Sequence, residues 1–291
     1  ELEAYKTEKK NALDGILSAL VEADYYAAEW SDIQGYVTSG KTAIDEAADT
    51  AAVDKAIADA EAAINAVEKK ADVIEKANSE LKAYADEKGE GNYTAADWLK
   101  IASYIEDAAE EITAADSKEK VAEAVAAAKT AIDGVELAPV RIEGKIGYAA
   151  LKEAIEAAET GDVIRIYSDI KEDEGNIKYQ ITKAITIEGV IDNGKKPVVY
   201  GGFSIVIKGV SDGSDVAVIK NLEIVHNGVY NADTTKDTKG AIVVGDGGLT
   251  LTGNYIHLID PAPANVSNSP SGLQLSRAAD SVSTAKFVVE G

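Results

Sequence analysis

The chain has no cysteine and no methionine. The first absence excludes disulfides and thiolate metal sites. The second extends to position 1, so the sequence is expected to begin after a processing boundary, and a removed signal peptide is one such route. Proline is confined to Pro139, Pro197, Pro261, Pro263 and Pro270. No apolar run approaches the roughly 20 residues of a membrane helix, which argues against membrane insertion of this stretch. Basic residues are scarce, 29 Lys and Arg against 51 Asp and Glu, for a net charge of -22. That balance argues against nucleic acid and anionic membranes as partners and favours salt, divalent cations or basic surfaces. Acidity without cysteine points to a bacterial extracellular protein.

What is present falls into two regimes. Before Pro139 the composition is Ala, Glu, Asp and Lys with a helical apolar period; after it come short runs of Val, Ile and Thr between Gly, Asn and Asp. The helical part repeats, because sliding residues 25–68 by 68 positions lays them on 93–136 without a gap. Trp30 then meets Trp98, Ile33 meets Ile101, Tyr36 meets Tyr104, Ile44 meets Ile112 and Ile64 meets Ile132. These positions form the apolar stripe that two copies of one small helical domain would share. Three helices are expected in each copy, over 2–20, 27–47 and 51–69, then 70–87, 95–115 and 118–134. Thr94 is a candidate N-cap ahead of Asp97, as are Asp116 or Ser117 for the last helix. Residues 51–88 contain neither Gly nor Pro, so one shared helix about 57 Å long is expected there. This half resembles the FIVAR-type three-helix repeats of bacterial cell-surface proteins.

Between residues 148 and 189 the order is an amphipathic helix, a Gly161-Asp162 turn, the strand VIRIY and a second strand AITIEG. Leu151, Ile155 and Ala158 give the helix one apolar face, and Gly161 is expected to supply the left-handed turn that ends it. Covering a sheet end with a helix removes an unpaired edge. Ala154, Ile155, Ala158, Gly161, Asp162, Ile164 and Ile166 match the pattern AIxxAxxGDxIxI. In this the segment resembles the start of right-handed parallel β-helices of the pectate-lyase-like superfamily, and the resemblance implies a capping helix leading into a first rung. Further strands are expected at 163–167, 184–188, 203–208, 216–225, 241–244, 249–252 and 286–290. Asn221 and Asn254 occupy turn-like positions, where asparagine tolerates a left-handed backbone and its amide can bond the neighbouring turn. Spacings of about 20 residues, Ile164 to Ile185 and Ile187 to Ile207, suit coils better than hairpins. Stretches 230–239 and 260–272 are expected to be loops thrown out from the rungs, the usual binding face of such proteins. The last strand, KFVVEG, has no cap after it in the sequence, so more rungs or another molecule are expected against it.

Enzymes of the pectate-lyase-like superfamily use Arg or Lys bases with Asp-bound calcium, or paired Asp. This half holds only Arg141, Arg165 and Arg277, with no RxPxxR, DH or GHG motif near them, and no residue is assigned a catalytic role. His226 and His257 are expected to face opposite ways, since Ile224, Ile256 and Leu258 point inward, and so not to converge on a metal. Asp212, Asp215, Asp233, Asp237 and Asp246 are the candidates for calcium, but lacking ligands at alternate positions they read first as solvated turn residues. Trp30 and Trp98 read as core rather than sugar platforms, given their phase with Ile33 and Tyr36. Tyr200, Phe203 and Tyr230 are weaker candidates for glycan stacking.

The sequence therefore predicts a multidomain α plus β chain. Two tandem three-helix bundles, 1–69 and 70–138, precede a right-handed parallel β-helix over 139–291 with an N-terminal capping helix. No cofactor other than calcium is implied. The expected role is structural or adhesive at the extracellular cell surface: a self-assembling S-layer or filament subunit pairing with itself, or an adhesin for a surface glycan or protein. A polysaccharide lyase or glycoside hydrolase is the alternative.

Overall fold

A computed structural model describes residues 1–172, 177–207, 216–226, 240–258, 271–275 and 287–290. Asp212, Asp215, Tyr230, Asp233, Asp237, Arg277, the 230–239 stretch and most of 260–272 lie outside the described residues. The chain is α+β, with helices preceding strands in parallel sheets. It divides into two compact units, Glu1–Lys88 with Lys100–Val135, and Gly89–Leu99 with Glu136–Gly291.

The helices of the Ala-rich half are α1 (Leu2–Ala19), α2 (Ala27–Glu46), α3 (Thr50–Asn65), α4 (Lys70–Lys88), α5 (Ala95–Ala114) and α6 (Lys118–Asp133). Their starts follow the cap chemistry read from the sequence. Thr94 Oγ1 accepts the Asp97 N–H at 3.2 Å and donates to Asp97 Oδ2 at 2.7 Å, and Ser117 Oγ accepts the Lys120 N–H at 3.3 Å. In the first unit, Leu13, Ile33, Ile44, Val53 and Ile64 bury the apolar stripe of α1 to α3. Leu81, Ile112, Val121 and Val125 do the same for the second copy.

The expected 57 Å helix over 51–88 does not form, because α3 stops at Asn65 and α4 begins at Lys70. Nothing in the local sequence forbids continuation, so tertiary contacts win over propensity. Val67 turns back onto the α1–α3 core, Lys69 Nζ reaches Asp24 at 3.3 Å and Glu68 reaches Lys118 at 3.1 Å. Tyr26, just before α2, inserts into the core of the second copy, and burial raises its phenol pKa.

The second unit contains β1 (Val140–Ile142), α7 (Leu151–Ala157), β2 (Val163–Ile166), β3 (Ile170–Lys171), β4 (Lys178–Ile181), β5 (Thr186–Gly189), β6 (Val198–Tyr200) and β7 (Gly202–Val206). There follow β8 (Val216–Lys220), β9 (Glu223–His226), β10 (Gly240–Asp246), β11 (Gly248–Thr252), β12 (Tyr255–Leu258), β13 (Ser271–Leu275) and β14 (Phe287–Glu290). From β2 onward each sheet takes every third strand: β2-β5-β8-β11-β14, β4-β7-β10-β13 and β3-β6-β9-β12. Among the described strands all these pairs are parallel, and only β1 joins β2 antiparallel.

Like residues fall into columns. Ile164, Ile187, Ile219 and Leu251 stand in register, as do Tyr179, Phe203, Ile242 and Leu273. One apolar core draws on all three sheets and on Leu151, Ala154, Ile155 and Ala158 of the α7 segment. A corner column of Gly189, Asn221 and Gly253 follows the first sheet. Asn221 takes φ +60 and splits the expected 216–225 strand into β8 and β9. Asn254 bonds the turn before it, accepting from Leu222 N–H at 3.0 Å and donating to Ile219 O at 2.7 Å.

Three further expectations are corrected. The spacing between paired strands exceeds the expected 20 or so residues, with Ile164 pairing Ile187 and Ile187 pairing Ile219, because the connections lengthen along the chain. The 260–272 loop gives way to β13 from Ser271. Gly161 does have a positive φ of 95, but α7 already ends at Ala157 with Ala158 extended; Gly161 instead forms the turn into β2, its N–H on Ala184 O at 2.8 Å.

Asp162 locks that turn, accepting from Glu159 N–H at 2.8 Å and from Lys145 Nζ at 2.9 Å. The backbone bond first and Lys145 second hold its carboxyl below the usual range. A depressed folded pKa stabilises above the unfolded value, about 3.9, and the gain is lost as pH falls through the folded value. Asp162→Asn is thus expected to lower the melting temperature near neutrality, with the gap to wild type closing as the pH falls below the ordinary carboxylate range, as calorimetry across pH would register.

Candidate functional site

The third sheet supplies the best-built exposed surface. Along β3, β6, β9 and β12 the inward positions are Ile170, Val199, Ile224 and Ile256, which join or pack against the core. Strand alternation turns two further columns away from these positions, in which Val198 and Val225 are nonetheless buried. One is Val198, Glu223 and Tyr255; the other is Lys171, Tyr200, Val225 and His257.

Tyr255 is 58% exposed. Its ring lies 4.7 Å from that of His257, whose Nε2 is 2.9 Å from Glu223 Oε1. Across the buried Val225 sits Tyr200, with Lys171 Nζ 5.6 Å from its ring centre. A carboxylate and an imidazole thus lie beside an exposed aromatic ring on one sheet face. Such a row can stack on the C–H face of a sugar while its polar groups bond hydroxyls. At the corner where the sheet begins, Tyr167, Asp169, Asp192, Lys195 and Pro197 line a groove of about 460 Å³. Tyr167 is backed by Arg141, 4.0 Å from its ring, and Asp169 accepts the Val198 N–H at 2.9 Å.

The residues singled out in the sequence scatter. His257 faces outward as the alternation requires, while His226 ends β9 half-buried, its pKa lowered by burial first, then by Lys178 and His257. Among the described residues no group of three or more His, Asp or Glu is placed to hold a metal; Asp246 ends β10 opposite Val206. Arg141 also donates to Ala138 O and Asn92 Oδ1, and Arg165 lies between Glu143 and Glu188. Phe203 is fully buried beside Tyr179, so it cannot stack on a ligand. Trp30 packs on the α1–α3 core and against Tyr25 at 6.0 Å, and Trp98 lies 5.9 Å from Tyr93. Tyr255 has no role in the sequence reading, yet its signal is there: it shares the parity of His257, two residues earlier.

Among the described residues no helix is long and apolar enough to cross a membrane. Compared with protein-family models, curated proteins and solved structures, the chain matches none.

Proposed function

We propose that this chain is an adhesive protein of a bacterial cell surface, in which FIVAR-like three-helix bundles carry a pectate-lyase-like right-handed parallel β-helix that binds a surface glycan. The observation that carries the binding reading is the outward Tyr255–His257–Glu223 cluster, an exposed aromatic with fixed polar neighbours in an otherwise acidic chain. The coil reading draws on the every-third-strand pairing of the three sheets, with α7 as the cap. Its hand follows from the chirality of parallel crossovers, right-handed in about 98% of cases. The Ala-rich repeats then act as a stalk, and their acidic faces are solvated surface.

A glycan array probed with the full chain and with the Tyr255→Ala variant tests this. Retention of a defined set of saccharides by the wild type, lost in the variant, is the expected result. Equal retention by both, or by neither, would overturn the assignment.

A further inference from the structure

A second cavity lies in the same unit, between α7 and β4, and its chemistry differs from that of the third sheet. It encloses about 470 Å³, within the roughly 300–1,000 Å³ of small-molecule sites. Lys152 from α7, Lys178 from β4 and Lys183 from the turn after β4 line it, with Gln180, Thr182 and one acid, Glu156. Ile155 and the buried Tyr179 complete its apolar part. Among the described residues that line it, three lysines stand against one glutamate, in a chain of net charge -22.

We propose that this cavity binds a tetrahedral oxyanion, a phosphate or sulfate, either free or carried as an ester on a small saccharide. Lys183 Nζ donates to Glu156 O at 3.0 Å and Ala158 O at 2.5 Å, which ties the end of α7 and places a positive charge at the cavity wall. The three lysines come from separate elements, α7, β4 and the turn after β4. Lysine acts as a point charge, whereas planar carboxylates are best matched by the bidentate fork of arginine, and among the described residues no arginine lines the cavity. Gln180 and Thr182 add neutral hydrogen-bonding groups.

The test is calorimetric titration of the full chain with inorganic phosphate, N-acetylglucosamine 6-phosphate, N-acetylglucosamine and galacturonate, with Lys152→Gln/Lys178→Gln as the variant and Lys55→Gln as control. Lys183 is left intact because it ties the end of α7. Both phosphates are expected to bind, the neutral sugar and the carboxylate at least about tenfold more weakly, and the double variant to lose about tenfold or more in affinity while Lys55→Gln keeps it. Tighter binding of the ester would identify a saccharide-borne group, and equal binding a free anion. No phosphate binding, unchanged affinity in the double variant, or galacturonate binding as well as phosphate would each overturn the proposal. None of these outcomes depends on Tyr255, so this site and the third-sheet face stand or fall separately.

Discussion

Replacing Phe203 by alanine is expected to destabilise the second unit by about 3–5 kcal/mol, the range for deleting a large buried aromatic. Phe203 is fully buried, stands in register between Tyr179 and Ile242, and holds its ring centre 5.4 Å from that of Tyr179. Truncation removes the tilted aromatic pair and opens a void that a column of inward residues, fixed by ladders on both sides, cannot collapse to fill. Hydrogen exchange read by peptide should show protection lost across β4, β7 and β10 while α1 to α3 keep theirs. A global stability change under about 1 kcal/mol would mean that the side chain has room to relax, against the close packing described here.

The second large effect falls on binding. Tyr255→Ala is expected to weaken glycan affinity about tenfold to thirtyfold, equivalent to about 1.4–2 kcal/mol, with little change in melting temperature because the ring is 58% exposed. Tyr255→Phe should keep most of the affinity, since the stacking face is retained. Glu223→Gln should have an intermediate effect, as it removes the charged partner of His257 but leaves an acceptor. Equal loss in the Phe and Ala variants would shift the role of Tyr255 from stacking to its hydroxyl.

The helices were largely legible because their apolar stripe, caps and internal repeat agree with one another. The break at residues 66–69 was not, since no residue there disfavours a helix and its cause lies in Val67, Glu68 and Lys69 finding distant partners. In the second unit β2, β8 and β11 of the first sheet, reading VIRI, VAVIK and GLTLT, carry apolar residues at alternate positions and stand out. Strands β3, β4 and β6 are short and read IK, KYQI and VVY, too little pattern to separate from loops. Asn221 itself marked its left-handed turn, with φ +60 in the fold, but not that the turn divides the 216–225 strand; the Cβ of any residue at Gly189 would come within 2.2 Å of the Asn221 carbonyl, a constraint visible only across strands. The candidate face was half legible. Parity places His257 outward, but its contact with Glu223, 34 residues away, follows from the pairing of Tyr255 with Glu223 that only the folded chain sets. The lysine cavity was not legible, because Lys152, Lys178 and Lys183 meet only when α7 packs beside β4.

The stacking of successive turns can be tested directly, because a chain without cysteine accepts engineered pairs cleanly. Glu188, Lys220 and Thr252 stand in register on β5, β8 and β11. Neighbouring strands lie about 4.8 Å apart, within disulfide reach, whereas two strand spacings exceed the roughly 7 Å limit between Cα atoms. Under mild oxidation, Glu188→Cys/Lys220→Cys and Lys220→Cys/Thr252→Cys are predicted to cross-link, and Glu188→Cys/Thr252→Cys is not. Failure of the first two pairs, or ready cross-linking of the third, would contradict parallel stacking in this register.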